Sequence, residues 1–249
     1  MRKLLHTLAA VGLVATPFVG ARADLILVSP NIITLGGTGL GAVNTVLTIQ
    51  SHGSGSVEAG CVGYTTTGDQ IGTSTTGGVC SGSTQDVKTG ASQTQTRTLA
   101  DAGITTGSNF AIFFNAAEPA GDGITLNTLV ANFYNATTGA LLHSANYAGP
   151  HDFTTTATGT GNTGYEFMLN SAEATTLQTF IASLGAANIR VGLSSSAGDG
   201  ALGATGGNET FFIFNANTAT TTTPEPGTTA LVATGLFGLF GVARRRRRS

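Results

Sequence analysis

Tryptophan is absent from the sequence, and the aromatic residues are thirteen phenylalanines and only four tyrosines. Carbohydrate-binding modules usually present exposed aromatic rings to sugars, so this kind of platform is poorly supplied here, although tyrosine can take the place of tryptophan. Lysine, arginine, aspartate and glutamate together make up 10% of the chain. Because long charged side chains favour helices, their scarcity argues against an α-helical fold.

Positive charge is scarce between residues 24 and 223, where the only basic residues are Lys88, Arg97 and Arg190. Twelve acidic residues in the same range give a formal net charge of −9, whereas the whole chain carries −2. An acidic surface repels nucleic acid and anionic lipid, so no nucleic-acid partner is predicted. The same surface makes divalent cations weak candidate partners.

Residues 1–23 have the three parts of a secretory signal peptide. Two basic residues precede an apolar stretch from Leu4 to Gly20, and Ala21 and Ala23 then supply an Ala-x-Ala cleavage site. Cleavage by signal peptidase would leave Asp24 as the first residue. The alternative, an N-terminal membrane anchor, is disfavoured because the apolar stretch is short for a membrane span.

The other end of the chain combines a linker, a motif, an apolar segment and a basic cluster. The Thr-rich linker, residues 218–223, leads to Pro224, Glu225 and Pro226, where two prolines hold the backbone extended. The apolar segment Ala230–Ala243 is shorter than the roughly 20 residues of a full membrane span. The arginines that follow would remain in the cytoplasm and stop transfer. They are Arg244, Arg245, Arg246, Arg247 and Arg248.

This order of an extended Pro-Glu-Pro, a short transmembrane helix and a terminal arginine cluster resembles the PEP-CTERM sorting signal, here residues 224–249. The resemblance implies recognition by exosortase, a membrane protease-transferase of Gram-negative bacteria that make exopolysaccharide. It implies that Pro224, Glu225 and Pro226 are the recognition residues, and that an inner-membrane intermediate precedes delivery to the cell surface or beyond. An ordinary tail anchor is the remaining alternative.

Cysteine occurs only twice, at Cys61 and Cys80. In an exported protein an even pair predicts a disulfide, and closing a loop of this size stabilises a fold by roughly 3 kcal/mol. A two-cysteine metal site is the alternative, but no third cysteine or nearby histidine supports it.

Residues 24–217 alternate short apolar runs with Gly-rich turns, which is typical of an all-β domain. Many short strands without an internal repeat predict a β-sandwich or jelly-roll-like ectodomain. The clearest hairpin has its turn at Asn135–Gly139. The predicted strands are Leu25–Val28, Ile32–Leu35, Val43–Gln50, Ser56–Tyr64, Gln93–Leu99, Phe110–Asn115, Ile124–Asn135, Ala140–Tyr147, Tyr165–Leu169, Ile189–Leu193 and Thr210–Asn215.

One amphipathic helix is predicted between Asn170 and Gly185. Asn170 can cap its first turn, and Glu173, three residues later, can reach back to the backbone as in a capping box. Gly185 favours the left-handed conformation that ends a helix. Apolar residues recur on one face, which we expect to pack on the sheet. They are Ala174, Leu177, Phe180, Ile181 and Leu184.

No pattern of catalytic residues stands out. His52, His143 and His151 lack the spacing of a metalloprotease motif, and the many serines have no nucleophile-elbow sequence around them. Asp122 and Asp199 lie beside glycines in predicted loops and are weak candidates for calcium ligands, although Asp-Gly pairs more often form turns. We therefore predict no catalytic residue, no resident metal and no cofactor, with calcium as the one candidate ion.

These patterns predict a non-enzymatic protein of the cell surface or extracellular matrix that exosortase processes and that associates with exopolysaccharide or biofilm. The predicted partners are signal peptidase, exosortase, exopolysaccharide and, for a time, the inner membrane. Two alternatives remain open. The first is an extracellular module that binds polysaccharide or calcium, and the second, less favoured, is an extracellular hydrolase.

Overall fold

In the computed structural model, the described part of the chain comprises residues 23–29, 33–34, 43–50, 57–90, 92–118, 122–154, 163–198, 202–204 and 207–218. This part contains one α-helix, α1 (Ser171–Leu184), and short 3-10 helices at Gly107–Asn109, Ala186–Asn188 and Ala216–Thr218. Its first strands are β1 (Leu25–Leu27), β2 (Ile33–Thr34), β3 (Asn44–Ile49), β4 (Val57–Thr65), β5 (Gly68–Gly72), β6 (Ser74–Thr76), β7 (Val79–Ser81) and β8 (Arg97–Thr98). The others are β9 (Phe110–Asn115), β10 (Ile124–Asn135), β11 (Leu141–Tyr147), β12 (His151–Phe153), β13 (Thr163–Leu169), β14 (Ile189–Gly198) and β15 (Glu209–Asn215).

Thirteen of the described strands form one sheet, and β6 and β7 form a separate hairpin. Along the sheet the strand order is β3-β15-β9-β13-β1-β11-β10-β14-β4-β5, with β2, β12 and β8 attached to β13, β10 and β14 respectively. Neighbouring strands pair antiparallel, except that β1 pairs with β11 in parallel. The short strand β1 therefore lies inside the sheet, between β13 and β11.

The sheet curls until its two ends approach each other. β3 lies against β4 and β14, and a Cβ atom built on Gly60 of β4 would lie 2.4 Å from Cγ2 of Ile49 in β3. Strand twist accumulates across many strands and makes a wide sheet curl. The predicted all-β class with one helix is confirmed. Among the described strands, one curled sheet takes the place of the two separate sheets expected of a sandwich.

Most predicted strands are present with bounds close to those expected. β9 and β10 begin and end at the predicted residues, and β10 forms the predicted hairpin with β11. The run Gln93–Leu99 is mostly not a strand, because it meets β3 partly through side chains: the Thr48 N–H donates to Thr94 Oγ1. Only Arg97–Thr98 pairs regularly, as β8.

The sequence pattern does not predict β5, β6, β7 and β12. The first three lie in or at the end of the polar segment between the two cysteines, and β12 contains His151 and Asp152, which lie outside the predicted strands. These strands are short and rich in glycine, serine, threonine or charged residues, so they lack the apolar alternation that indicates a strand. β5 and β12 form by pairing with the longer strands β4 and β10, whereas β6 and β7 pair with each other in a hairpin that the disulfide joins to β4.

Two apolar clusters lie on opposite faces of β9 and β15. The larger is the main core and includes Phe114 and Phe211, whose ring centroids stack 4.7 Å apart. The smaller contains Phe113 and Phe212, which stack with centroids 4.7 Å apart. All six residues of β9 are buried, which explains why its sequence is a continuous apolar run and not an alternating one.

The helix begins and ends where the sequence predicts. The Asn170 side chain accepts two backbone hydrogen bonds from the first turn, and Gly185 follows the last turn with a φ of 81°. Leu177 and Ile181 are buried in the main core. Their partners on the predicted apolar face are only partly buried against that core, so the helix covers the sheet along a narrow stripe.

The capping box predicted at Glu173 does not form. The Glu173 carboxylate hydrogen-bonds with Nε2 of His143 on β11. The backbone N–H of Asn170, which a capping box would satisfy, donates to the carbonyl oxygen of Asp24 at 2.9 Å. Asp24, which precedes β1, thus supplies the acceptor for the Asn170 N–H. The Glu173 side chain is then able to contact His143 on the sheet.

The two predicted targeting segments fall outside the described residues. The described chain runs from Ala23 to Thr218, so the apolar stretches of the signal peptide and of the sorting signal are not included. Within the described segments, no helix has the length and apolar character needed to cross a membrane.

Candidate functional site

Ala23 and Asp24, on either side of the predicted signal-peptide cut, lie within the fold. The Ala23 carbonyl oxygen accepts a hydrogen bond of 2.9 Å from Nδ2 of Asn170. The Asp24 N–H donates to the carbonyl oxygen of Asn146 at 3.0 Å, and the Asp24 carboxylate accepts from the N–H and Nδ2 of Asn146. β1 follows at once, so the first residues after the predicted cut are held in the sheet.

The residues predicted to direct sorting lie outside the described part of the chain. They are the motif Pro224, Glu225 and Pro226, the arginines 244–248, and Ala21 of the signal-peptide cleavage site. Their assignment rests on the sequence.

Cys61 and Cys80 form the predicted disulfide, with Cα atoms 5.8 Å apart. The bond joins β4 of the large sheet to β7 of the small hairpin, and both cysteines are buried. A second link comes from the Tyr134 hydroxyl on β10, which donates to the carbonyl oxygen of Gly78. The disulfide therefore fastens a polar hairpin whose own sequence offers little apolar surface to bury.

His143 and His151 lie on different strands and have different neighbours. Nε2 of His143 pairs with the Glu173 carboxylate, whereas the His151 ring packs on Phe153 with ring centroids 4.6 Å apart. The carboxylate of Asp152, next to His151, accepts a hydrogen bond of 2.7 Å from a threonine hydroxyl on β10. In the described segments, no hydrogen bond joins either imidazole to a serine hydroxyl.

Three glutamates with almost no exposed surface lie near one another. They are Glu58 on β4, Glu118 just after β9 and Glu209 at the start of β15. Burial raises the pKa of the Glu209 carboxyl far above its ordinary value, and the hydrogen bond and charge of Glu58 and the charge of Glu118 raise it further. These surroundings therefore favour the neutral form of the Glu209 carboxyl. The sequence does not indicate this cluster, because its members come from distant segments.

The predicted calcium ligands do not form a cluster that the structure describes. Asp122 is exposed just before β10, and Asp199 lies outside the described residues. In the described part of the chain, no group of three or more histidine, cysteine, aspartate or glutamate side chains is arranged to hold a metal ion. Calcium binding stays a prediction from the sequence.

An open cleft of about 470 Å³ lies beside β8 and the start of β14. Its lining includes Tyr64, Asp69, Arg97, Asp101 and Arg190, and we call it the arginine cleft. Cζ of Arg190 lies over the Tyr64 ring, 4.7 Å from the ring centroid. The rarity of basic residues was the one sequence feature that could have directed attention to Arg97 and Arg190. No local pattern connects them, because the sheet brings distant segments together.

Residues 222–248 match the family model described as the PEP-CTERM protein-sorting motif. Neither the curated proteins nor the solved structures compared with the chain gave a significant match. The matched segment includes Pro224, Glu225, Pro226 and the arginines, so the predicted resemblance is confirmed. The motif is typical of proteins that are exported and that exosortase sorts to the cell surface.

Proposed function

We propose that this chain is a non-enzymatic protein of the cell surface or extracellular matrix, processed by exosortase and then associated with exopolysaccharide. One observation carries the proposal: the match of residues 222–248 to the PEP-CTERM protein-sorting motif. The acidic β domain is the part of the chain that acts outside the cell.

The two ends of the sequence supply the steps of export. Signal peptidase cuts after Ala23, and the apolar segment Ala230–Ala243 then pauses in the inner membrane with its arginines on the cytoplasmic side. Exosortase recognises Pro224, Glu225 and Pro226 on the outer side and cuts near them. The β domain is then released or attached among exopolysaccharide.

Two properties of the domain suit a location outside the cytosol. A disulfide such as the one between Cys61 and Cys80 persists in oxidising compartments. The formal charge of −9 over residues 24–223 favours solubility and repels anionic lipid. Both properties support an extracellular protein without indicating a reaction.

The contacts of the titratable side chains support a non-enzymatic role. His143 is paired with Glu173, and the ring of His151 packs on Phe153. Glu209, whose pKa burial raises most, has no exposed surface that a substrate could reach. The two histidines therefore have structural contacts, and the Glu209 carboxyl is out of the reach of a substrate.

Intact mass spectrometry of the protein recovered from outside the cells tests this proposal. We expect a chain that begins at Asp24, ends near Pro-Glu-Pro and lacks two hydrogens because of the disulfide. Glu225→Ala should leave the C-terminal segment attached and the protein in the inner membrane. Thr221→Ala, in the adjacent linker, is the matched control and should be processed normally. Full-length protein in the cytosol would contradict the proposal.

The arginine cleft favours a second candidate function, a module that binds polysaccharide. The other form of this candidate, a module that binds calcium, is tested separately, because a bound ion stabilises the folded state. The melting temperature of the full chain should then be higher with calcium than with chelator. An unchanged melting temperature would remove calcium from consideration and leave the polysaccharide version standing.

A further inference from the structure

We infer that the arginine cleft binds neutral, hydroxyl-rich sugar units of an extracellular polysaccharide. This inference deepens the proposed association with exopolysaccharide and rests on it for the source of the ligand. The volume of about 470 Å³ lies within the range of about 300–1,000 Å³ that is typical of small-molecule sites. The cleft is open to solvent, so part of a longer chain can lie in it while the rest continues outside.

Basic side chains are concentrated in this cleft. Residues 24–223 contain three of them, and Arg97 and Arg190 line the cleft whereas Lys88 does not. Neither guanidinium takes part in an ion pair in the described part of the chain. Stabilisation of the fold by ion pairing therefore does not account for the presence of two arginines here.

Hydrogen bonds hold both guanidinium groups in place and leave some of their N–H groups unused. Nη1 of Arg190 donates to the carbonyl oxygen and Oγ1 of Thr96 at 3.0 and 2.8 Å, while the Tyr64 ring supports the guanidinium from one side. Nε of Arg97 donates to the carbonyl oxygen of Thr45 at 3.1 Å. Within the described residues, the other N–H groups of both side chains have no acceptor, so they can donate to a ligand.

The two carboxylates of the cleft are oriented as well. Asp69 accepts hydrogen bonds from the N–H and the hydroxyl of Thr96, and Asp101 accepts from the N–H of Thr98 at 2.8 Å. A carboxylate offers about four acceptor positions, so both can accept further bonds. The cleft therefore presents fixed donors beside fixed acceptors.

Sugar hydroxyl groups match this arrangement, because each can donate one hydrogen bond and accept others. Two arginines and two aspartates give the cleft no net formal charge, and the surrounding domain, at −9, repels polyanions. A neutral polysaccharide is therefore favoured over a polymer of uronic acids. The Tyr64 ring packs on Arg190, and the cleft offers hydrogen bonds to a sugar. Recognition of this kind does not need exposed tryptophan rings, which the sequence lacks.

Affinity electrophoresis of the full chain in mild detergent tests the inference, with gels that contain dextran, galactomannan or the carboxymethyl derivative of either polymer. We expect at least one neutral polymer to retard the wild type. Arg190→Gln should weaken that retention about tenfold or more, because it removes charge-assisted hydrogen bonds. Lys88→Gln, the matched control, removes the same charge outside the cleft and should behave as the wild type.

Gln95→Ala provides a second variant in case the arginine substitution disturbs folding. Gln95 lines the cleft, and its side chain has no hydrogen-bond partner within the described segments. We expect weaker retention at an unchanged melting temperature. All variants carry the same C-terminal arginines, so differences between them report the cleft and not the tail.

Three results would overturn the inference. They are retention by neither neutral polymer, equal retention of wild type, Arg190→Gln and Gln95→Ala, or Arg190-dependent retention that is stronger with a carboxymethyl polymer. None of them depends on processing of the chain. Failure of the cleft to bind is thus distinguishable from failure of the proposed export and sorting, which the mass measurement tests.

Discussion

The carboxylate of Glu173, in the first turn of α1, hydrogen-bonds with Nε2 of His143 on β11 and so links the only described α-helix to the sheet. Helix capping is left to Asn170 and to the carbonyl oxygen of Asp24. A glutamate whose spacing predicts a contact within the helix thus makes a contact between elements.

Glu173→Ala should destabilise the fold through His143 and not through a helix cap. The two side chains are 17% and 28% exposed, and pairs of this kind contribute about 0.2–1 kcal/mol. In urea denaturation, we expect most of this loss to disappear in a His143→Ala background. Equal losses in both backgrounds would show that Glu173 has another partner. Asn170→Ala, the control, should lower the free energy of unfolding by about 1 kcal/mol in either background.

Cys61→Ala combined with Cys80→Ala should lower the free energy of unfolding by about 3 kcal/mol, because the loop between β4 and β7 loses its constraint. For a domain of this size that corresponds to a melting temperature lower by about 6–12 °C. Calorimetry with and without reductant measures it. Reductant should lower the melting temperature of the wild type to near that of the double variant. It should leave the melting temperature of the double variant unchanged. A double variant as stable as the wild type would show that the bond is dispensable.

Glu209→Gln should stabilise the fold in neutral and alkaline solution. Because burial raises the pKa of Glu209, the folded state keeps a proton that the unfolded state releases above about pH 4.3. The stability from this neutral carboxyl is fully present below that pH. It is lost as pH rises, by up to about 1.4 kcal/mol per pH unit.

Melting temperatures across the range from about pH 5 to pH 8 check this prediction. Glutamine stays neutral, so the melting temperature of Glu209→Gln should fall less with rising pH than that of the wild type. Asp122→Asn removes an exposed carboxyl outside this group of glutamates, serves as the control and should follow the pH dependence of the wild type. Parallel curves for wild type and Glu209→Gln would mean that Glu209 is charged in the fold.

Gly60→Ala should weaken the contact that closes the curl of the sheet. The added Cβ would lie 2.4 Å from Cγ2 of Ile49 and 3.0 Å from Cγ2 of Val87. Crowding of this kind in a packed core costs about 1–3 kcal/mol. Ile49→Ala removes the nearer methyl group, so Gly60→Ala should cost much less in that background. Additive losses in chemical denaturation would argue that the ends of the sheet do not meet at Gly60.

The sequence predicts this fold best where an element carries its own pattern. β10 and β11 alternate apolar and polar residues around the turn at Asn135, and α1 has both an N-cap and Gly185. Each of these patterns is local, so it predicts its element even when the partner strands are not known. The disulfide was predictable for a related reason, because Cys61 and Cys80 had no other cysteine to pair with.

Features made by distant segments were not predictable in this way. The arginine cleft combines Tyr64 on β4 with Arg190 on β14, and the carboxyl cluster combines Glu58 with Glu209. The order of strands places β4 beside β14, and the curl of the sheet brings β4 close to the end that contains β15. The polar strand β12 shows the same limit, since its pairing with β10 and not its own residues makes it a strand.

The position of β1 sets an order of events for maturation. The peptide bond between Ala23 and Asp24 adjoins a strand enclosed by β13 and β11, and the carbonyl oxygen of Ala23 accepts a hydrogen bond from Asn170, so this bond is held within the folded domain. If signal peptidase cuts that bond, the cut must come before β1 pairs with β13 and β11. On that condition β1 would enter the sheet after the cut, and the segment that the cut releases would complete the domain.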